Sequence, residues 1–158
     1  MKPRVYAGID VGAEGHLALI VIGSAGHEVR TIPLGDRPEI VIRSVLVPFR
    51  EAGMLCKVAL EKTYAFKGVA ASGAHSLGIA SGRVLGALGA LSLPYEAIRP
   101  QEWKALILKG TAKDKAAAID HVRDLYPSVR LTKPKGKVPD HNIAEAVCLA
   151  EYARRTHQ

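Results

Sequence analysis

The sequence predicts an α/β fold built on a mixed β-sheet, and the order of its apolar segments is the main reason. Three strand-like segments at the start of the chain are separated by tight turns, which is typical of an antiparallel meander. An amphipathic helical segment then leads to a further apolar segment, which indicates a right-handed crossover to a parallel strand. With a short fifth strand, the sheet has three antiparallel and then two parallel strands.

The first strand, residues 4–10, is predicted to lie inside the sheet. It is a nearly continuous apolar run that ends in a lone carboxylate, as expected for a strand buried on both faces. Asp10 would then sit at the carboxyl end of the strand, where α/β sheets bind ligands. Gly12 and Gly15 let the chain turn away without a side chain over the acid. The alternative is that Asp10 merely starts a turn.

The other elements follow from hydrophobic spacing and from helix-start signals. Strands are predicted at residues 16–22, 27–33, 57–61 and 94–98, and helices at 36–52, 72–91, 100 onward, 111–126 and 141–154. Thr111 and Asp140 are predicted to cap the last two helices. The segment 130–139 is basic and rich in proline and glycine, so we expect a loop there.

The long helix at 72–91 carries four glycines close to its apolar stripe, at Gly78, Gly82, Gly86 and Gly89. Each glycine costs a helix about 1 kcal/mol relative to alanine, so the pattern calls for a reason. Close approach of another backbone is the expected one, either from the sheet or from a second copy of the helix.

Composition favours a globular protein with a polyanionic partner. The 158 residues are 48% hydrophobic and 23% charged, and 22 lysines and arginines against 15 acids give a net charge of +7. Cys56 and Cys148 lack metal-ligand spacing and are interpreted as free thiols in a reducing compartment. No signal-peptide pattern or membrane-length apolar run is visible, so we expect a cytoplasmic location.

Four acids and one histidine are candidates for a metal site. Asp10 and Glu61 end neighbouring strands and would meet at one edge of the sheet. His141 and Glu145 share one helical face, and Asp140 can reach the same place from the helix start. Hard oxygen ligands, with or without an imidazole, suit Mg²⁺ or Mn²⁺, and two such ions about 4 Å apart can hydrolyse a phosphodiester.

Each of these residues also has a simpler interpretation. Asp140 can be only a helix cap, Glu145 a solvated helix residue and His141 a surface residue of the first turn. Glu61 can form a plain ion pair with Lys62. All four coincidences together are less expected than any one of them.

Several motifs occur in a set order along nearly the whole chain. They are Gly8-Ile9-Asp10-x-Gly12, Glu61-Lys62 at a strand end, and Asp140-His141-x-x-Ala144-Glu145-Ala146, with Gly82-Arg83, Pro100-Gln101-x-Trp103-Lys104 and Lys113-Asp114-Lys115 between them. In this order they resemble the RuvC-type Holliday-junction resolvases, and the compact phage and prophage members most.

The resemblance implies a ribonuclease-H-like fold, with helices on both faces of the sheet and a single nuclease domain over residues 1–158. It also implies a homodimer that resolves four-way DNA junctions by paired symmetric nicks. Two Mg²⁺ ions per active site would be used, with Mn²⁺ as a substitute, and neither a nucleotide cofactor nor a membrane is involved. The glycine-rich helix is our candidate for the dimer contact.

The resemblance also assigns residues. Asp10, Glu61 and Glu145 match three of the family's acids, but the usual fourth position falls on Asn142. Asp140 or His141 must then replace it, and Asp140 is preferred as the harder ligand. Lys115 joins the catalytic set. The predicted DNA-binding residues are Tyr64, Phe66, Lys67, Arg83, Lys104, Lys113, Lys115, Lys133, Lys135 and Lys137.

Within that DNA-binding set, Tyr64 matches an aromatic that stacks near the junction centre. Lys104 and Lys115 look like residues that meet the scissile phosphate. The lysines of the 130–139 loop would contact other phosphates, although a merely solvated basic loop is the competing view. Trp103 is interpreted as a packing residue.

Three rival functions remain open. Actin-like kinases share the Gly-x-Asp-x-Gly start, but they need a second domain for which 158 residues leave no room. A junction-binding protein with a degraded site is suggested by Asn142. A broader nuclease for flaps, forks or other branched DNA of a phage is the more serious alternative.

Overall fold

The protein folds around a five-stranded mixed sheet. In a computed structural model, residues 2–63 and 70–157 are described. The strands are β1 (Arg4–Asp10), β2 (His16–Gly23), β3 (Gly26–Pro33), β4 (Leu55–Glu61) and β5 (Tyr95–Ile98). Their order in the sheet is β3-β2-β1-β4-β5, with β1 central. The first three strands are antiparallel and the last two run parallel to β1, so the predicted topology is confirmed.

The helices begin and end close to the predicted positions, with one exception. They are α1 (Pro38–Glu51), α2 (Ala71–Ala90), α3 (Pro100–Ile107), α4 (Lys115–Leu125) and α5 (His141–Thr156). The exception is the start of α4, where Asp114 and not Thr111 caps the helix through a hydrogen bond from the Ala117 amide. Lys113 adopts a left-handed φ of 59°, which prevents the helix from beginning earlier.

Helices cover both faces of the sheet, and alternation along β1 divides its side chains between them. Val5, Ala7 and Ile9 pack with α1 and α2, whereas Tyr6 packs with α3, α4 and α5. Because successive residues of a strand point to opposite faces, Asp10 faces the same side as Tyr6, toward α5.

Gly8 allows α5 to lie directly against β1. A Cβ atom at Gly8 would overlap the Ala146 carbonyl oxygen and the Ala150 amide nitrogen of α5. The small side chains at these helix positions and the missing one at Gly8 therefore set the distance between the central strand and the last helix. Asp10 lies two residues beyond this contact.

The glycines of α2 do not approach the sheet, so that part of their interpretation was wrong. Within the part of the chain that the structure describes, a Cβ atom at Gly78, Gly82, Gly86 or Gly89 would meet nothing within 4 Å. The glycines are exposed, and the helix contacts the sheet through Val84 and Leu88 instead. They form an open face on the outside of this helix.

The segment 130–139 is a loop, as predicted, and backbone interactions join its two ends. The Asp140 amide donates to the Leu131 carbonyl at 2.7 Å, and Thr132 forms a β-bridge with Pro139. A turn closed by the Gly136 amide bonding to the Lys133 carbonyl lies between them. The loop therefore projects from the start of α5 as a compact arch.

Two further features of the described residues are the state of the cysteines and the character of the helices. Cys56 and Cys148 are both free, as predicted. None of the helices in the described ranges combines the length and the apolar character needed to cross a membrane.

Candidate active site

The two strand-end acids lie side by side. Parallel pairing of β1 and β4 sets Ile9 opposite Leu60, so Asp10 and Glu61 follow at the same edge. Ala59 packs on the α5 side of the sheet, and alternation turns Glu61 to that side as well. Both predicted carboxylates therefore face the groove between the sheet edge and α5.

The start of α5 brings two further carboxylates to this groove. Asp140 caps the helix by accepting a hydrogen bond from the Asn142 amide to its Oδ1 atom at 2.9 Å. Its other oxygen, Oδ2, is buried and has no hydrogen-bond partner among the described residues. Glu145 lies about one turn further along, with its side chain 13% exposed. Asp140 can therefore cap the helix with Oδ1 and still offer Oδ2 to a metal ion.

The electrostatics of Asp10 indicate that the four acids form one cluster. Burial raises the pKa of Asp10 well above its usual range, and the negative charges of Glu145, Glu61 and Asp140 raise it further. Lys104 acts in the opposite direction. The charges of Glu61, Asp140 and Glu145 therefore all act on Asp10, and a cation placed among these acids would relieve the repulsion.

Glu61 is held by a residue that the sequence analysis assigned to packing. The Trp103 indole Nε1 donates a hydrogen bond to Glu61 Oε2 at 2.6 Å. Burial raises the pKa of Glu61, the hydrogen bond from Trp103 lowers it, and the nearby charge of Glu145 raises it again. Trp103 is fully buried, as predicted, but it also touches the site.

Two lysines partly neutralise the cluster. Lys104 Nζ lies 3.4 Å from Glu145 Oε1 and 5.1 Å from the centre of the Trp103 ring. Lys133 Nζ lies 3.7 Å from Asp140 Oδ2, and 2.5 Å from Glu14 Oε1 on the turn after β1. Lys133 therefore links the basic loop both to the start of α5 and to the turn after β1.

The carboxylate oxygens of this cluster are the type of ligand that a hard divalent cation prefers. The side chains are not positioned around a common point as they would be in an assembled metal site. Among the described residues, no three His, Cys, Asp or Glu side chains are grouped so that they could hold a metal ion. The acids pair instead with nitrogen donors from Trp103, Lys104 and Lys133. Asp140 Oδ2, which has an ion-pair contact but no hydrogen bond among the described residues, and the repulsion at Asp10 are the features that a cation would satisfy.

The other predicted site residues differ in exposure. His141 is partly exposed at the first position of α5, and its side chain has no bonded partner among the described residues. Lys113, Lys115, Lys135 and Lys137 are exposed and form no ion pair within the described ranges. Tyr64, Phe66 and Lys67 lie outside the described residues.

Arg83 has a structural partner. Its guanidinium group forms a two-pronged hydrogen bond with Glu39 and also donates to the Asp36 carbonyl, which joins α2 to α1. Its predicted contact with DNA would have to compete with this pairing.

Two contacts of the site were not predicted from the sequence. They are the ion pair of Lys133 with Glu14 and the hydrogen bond from Trp103 to Glu61. The available signal for Trp103 was Pro100, since a helix that starts two residues after β5 carries its first turn back over the end of β4.

Comparison with known proteins identifies the fold. No family model matches the sequence, and a search of curated proteins finds no match either. A solved structure of Thermus thermophilus RuvC is 20% identical, with a TM-score of 0.60 and 97% of each chain covered. The yeast mitochondrial Holliday junction resolvase Ydc2 is 10% identical, with a TM-score of 0.52, covering 94% of this chain and 77% of that one. The chain has the RuvC-type resolvase fold.

A second Thermus thermophilus RuvC structure, in complex with a Holliday junction substrate, is 22% identical with a TM-score of 0.57. It covers 98% of this chain and 97% of that one. This similarity extends over almost the whole RuvC-type fold and includes the strands and the helix that carry the four acids. The ribonuclease-H-like architecture predicted from the motifs is confirmed.

Proposed function

We propose that this protein is a divalent-metal-dependent endonuclease that resolves four-way DNA junctions by paired symmetric nicks. The observation that carries the proposal is the gathering of Asp10, Glu61, Asp140 and Glu145 at one sheet edge of a RuvC-type fold. A single domain over residues 1–158 would carry the activity, in the cytoplasm of a bacterial cell.

The acids would hold two Mg²⁺ or Mn²⁺ ions. Asp10, Glu61 and Glu145 would supply three of the ligand side chains. Asp140 is preferred over His141 as the fourth because it is the harder ligand and its buried Oδ2 has no hydrogen-bond partner among the described residues. The ions would activate a water molecule and stabilise the leaving oxygen of the phosphodiester. The chain's own part is to hold the acids on a rigid strand pair and a helix.

Basic residues around the groove would bind the phosphates of branched DNA. Lys104 lies beside Glu145 and would meet the scissile phosphate, together with Lys115. The arch at 130–139 would reach further phosphates, and Tyr64 would stack near the junction centre. A net charge of +7 supports this assignment. The proposed activity would use neither a nucleotide cofactor nor a membrane.

A homodimer would present two such sites to opposite strands of the junction. The open face of α2 supports this arrangement because a Cβ atom at any of its glycines would meet nothing within 4 Å among the described residues. Ile79 and Leu85 on the same helix are 50% and 36% exposed, which adds apolar surface for a second copy.

The test is cleavage of a labelled synthetic four-way junction with Mg²⁺ or Mn²⁺, comparing the wild type with Asp10→Asn. A flap and a linear duplex serve as substrate controls. We expect paired symmetric nicks in the junction alone, and none with Asp10→Asn, because the loss of a ligand charge removes the metal site.

The other outcomes decide between the rival functions. Efficient cutting of flaps or forks would indicate a broader branched-DNA nuclease. Tight junction binding without cleavage under either metal would indicate a junction-binding protein with a degraded site, for which the asparagine at position 142 is the sequence feature.

A further inference from the structure

Trp103 is buried at the point where α3 meets two carboxylates of the site. Its side chain is 0% exposed, and its indole Nε1 lies 2.6 Å from Glu61 Oε2. The next residue, Lys104, lies 3.4 Å from Glu145 Oε1. The first turns of one short helix therefore contact acids from both a strand and α5.

The backbone fixes the indole at this place. β5 pairs with β4 as far as Ile98 opposite Glu61, and the Lys62 amide donates to the Ile98 carbonyl at 2.7 Å. Only Arg99 separates β5 from α3, whose first residue is Pro100. With so short a connection, the register of the sheet determines where Trp103 meets Glu61.

The chemistry of this hydrogen bond couples the two residues. An indole N–H can only donate, and a buried donor without an acceptor is costly, so Trp103 holds one particular oxygen of Glu61. The other oxygen, Oε1, has no hydrogen-bond or ion-pair partner among the described residues. The carboxylate thus has one oxygen fixed and one available.

We propose that Trp103 is a positioning residue of the carboxylate site, whose indole N–H holds Glu61 so that its second oxygen can bind a divalent cation. This inference rests on the proposed function for its role in cleavage, but metal binding tests it separately.

The test is a Mn²⁺ titration of the purified protein. The electron paramagnetic resonance signal of free Mn²⁺ measures how much of the ion is bound. Trp103→Phe keeps an aromatic ring but removes the N–H. We expect its Mn²⁺ affinity to fall by ~10- to 100-fold, the range typical when an outer partner of a metal ligand is lost.

Tyr126→Phe is the matched control. Tyr126 also donates a buried hydrogen bond to a carboxylate, Glu151, at 2.6 Å, but in a cluster at the other end of α5. We expect wild-type Mn²⁺ affinity for this variant even if its stability falls. Equal loss of affinity in both variants would mean that general loosening, and not positioning, is responsible, and would overturn the inference.

A second readout uses the fact that Trp103 is the only tryptophan. Its emission should be quenched by Mn²⁺ with the same midpoint as the binding curve, and Glu61→Gln should shift that midpoint to higher Mn²⁺ concentration. If Trp103→Phe does not fold, replacing tryptophan throughout by benzothienylalanine exchanges N–H for sulfur at this one position. Wild-type Mn²⁺ affinity in that protein would overturn the inference.

The two proposals can fail separately. Loss of Mn²⁺ affinity in Trp103→Phe with no junction cleavage by the wild type would support the positioning role and overturn the proposed function. Cleavage by the wild type, with unchanged Mn²⁺ affinity in Trp103→Phe, would do the reverse. No Mn²⁺ binding by the wild type would overturn both.

Discussion

Gly8 is the residue at which the central strand touches the last helix. Because a Cβ atom there would overlap the backbone of α5 at Ala146 and Ala150, Gly8→Ala must push the helix away from β1. We expect a loss of at least about 2–3 kcal/mol in the free energy of unfolding, at the upper end for an overpacked core. Urea denaturation monitored by circular dichroism measures it.

Gly23→Ala is the matched control for this prediction. Gly23 lies at the end of β2, and a Cβ atom there would meet nothing within 4 Å in residues 2–63 and 70–157. Its effect should stay within about 0.5 kcal/mol. If the two variants were equally stable, close packing of β1 on α5 would be disproved.

Glu151 is a fully buried acid that the proposed function does not use. It accepts hydrogen bonds from Tyr126 at 2.6 Å, from Arg154 and from Arg155. Despite burial, these donors hold the pKa of Glu151 down at about 2. We expect Glu151→Gln to cost roughly 2 kcal/mol near neutral pH, since the arginines are partly exposed and their attraction is screened.

The same cluster predicts an acid-dependent loss of stability. A pKa lowered from 4.5 to about 2 means that its stabilisation is complete above pH 4.5 and is lost as the pH falls toward 2. The gap in unfolding free energy between wild type and Glu151→Gln should therefore close over this range. Glu28→Gln, which breaks an exposed pair with Arg30, should show almost no gap at any pH.

Single residues of the site were predictable only where a pattern marked them. Asp10 and Glu61 follow from apolar strands that end in an acid, because parallel strands meet at one edge. The contacts of Trp103 and Lys133 were not predictable, since they depend on how α3 and the basic loop pack. The net charge can be counted from the sequence, but the acid with which each lysine pairs cannot be predicted from it.

Among the elements, α2 offers the clearest prediction. If its open face is the contact between two copies, Gly82→Leu should convert a dimer into a monomer, because a large side chain would separate the helices. Sedimentation velocity measures the change. Junction cleavage should then lose its paired character.

Ala116→Leu is a suitable control for this element. It also introduces a leucine side chain at an exposed position of another helix, α4. It should leave the sedimentation coefficient unchanged. A Gly82→Leu protein that remained dimeric would rule out α2 as the contact.

Element boundaries were well predicted where proline, glycine or an acid marked them. Pro38, Pro100 and Asp140 each stand at the helix start that the sequence indicated. The start of α4 was misplaced because two good capping residues, Thr111 and Asp114, lie three residues apart. The left-handed backbone at Lys113 decides between them, and no rule of sequence favours that conformation in a lysine.

For the whole molecule, the positive charge predicts salt-dependent binding to branched DNA. If Lys135 and Lys137 each meet a phosphate, changing both to Gln should make the slope of log affinity against log salt shallower by about 1.8, at about 0.9 per contact. Fluorescence anisotropy with a labelled junction at several salt concentrations measures this slope.

Lys2→Gln removes one positive charge where the loop variant removes two, so it controls for net charge when the change in slope is compared per charge removed. Lys2 is exposed just before β1, at the opposite end of that strand from Asp10. Its removal should change the slope far less. Equal effects of the two sets of substitutions would show that the arch makes no direct phosphate contact.

The packing of α5 on β1 also has a consequence for how the protein is made. Asp10 is synthesised long before Glu145, and only the docking of α5 brings the two together. Contacts so distant in sequence form late, since a long loop must close first. A chain still emerging from the ribosome without α5 therefore carries no assembled carboxylate cluster, and any cutting activity must wait for the completed fold.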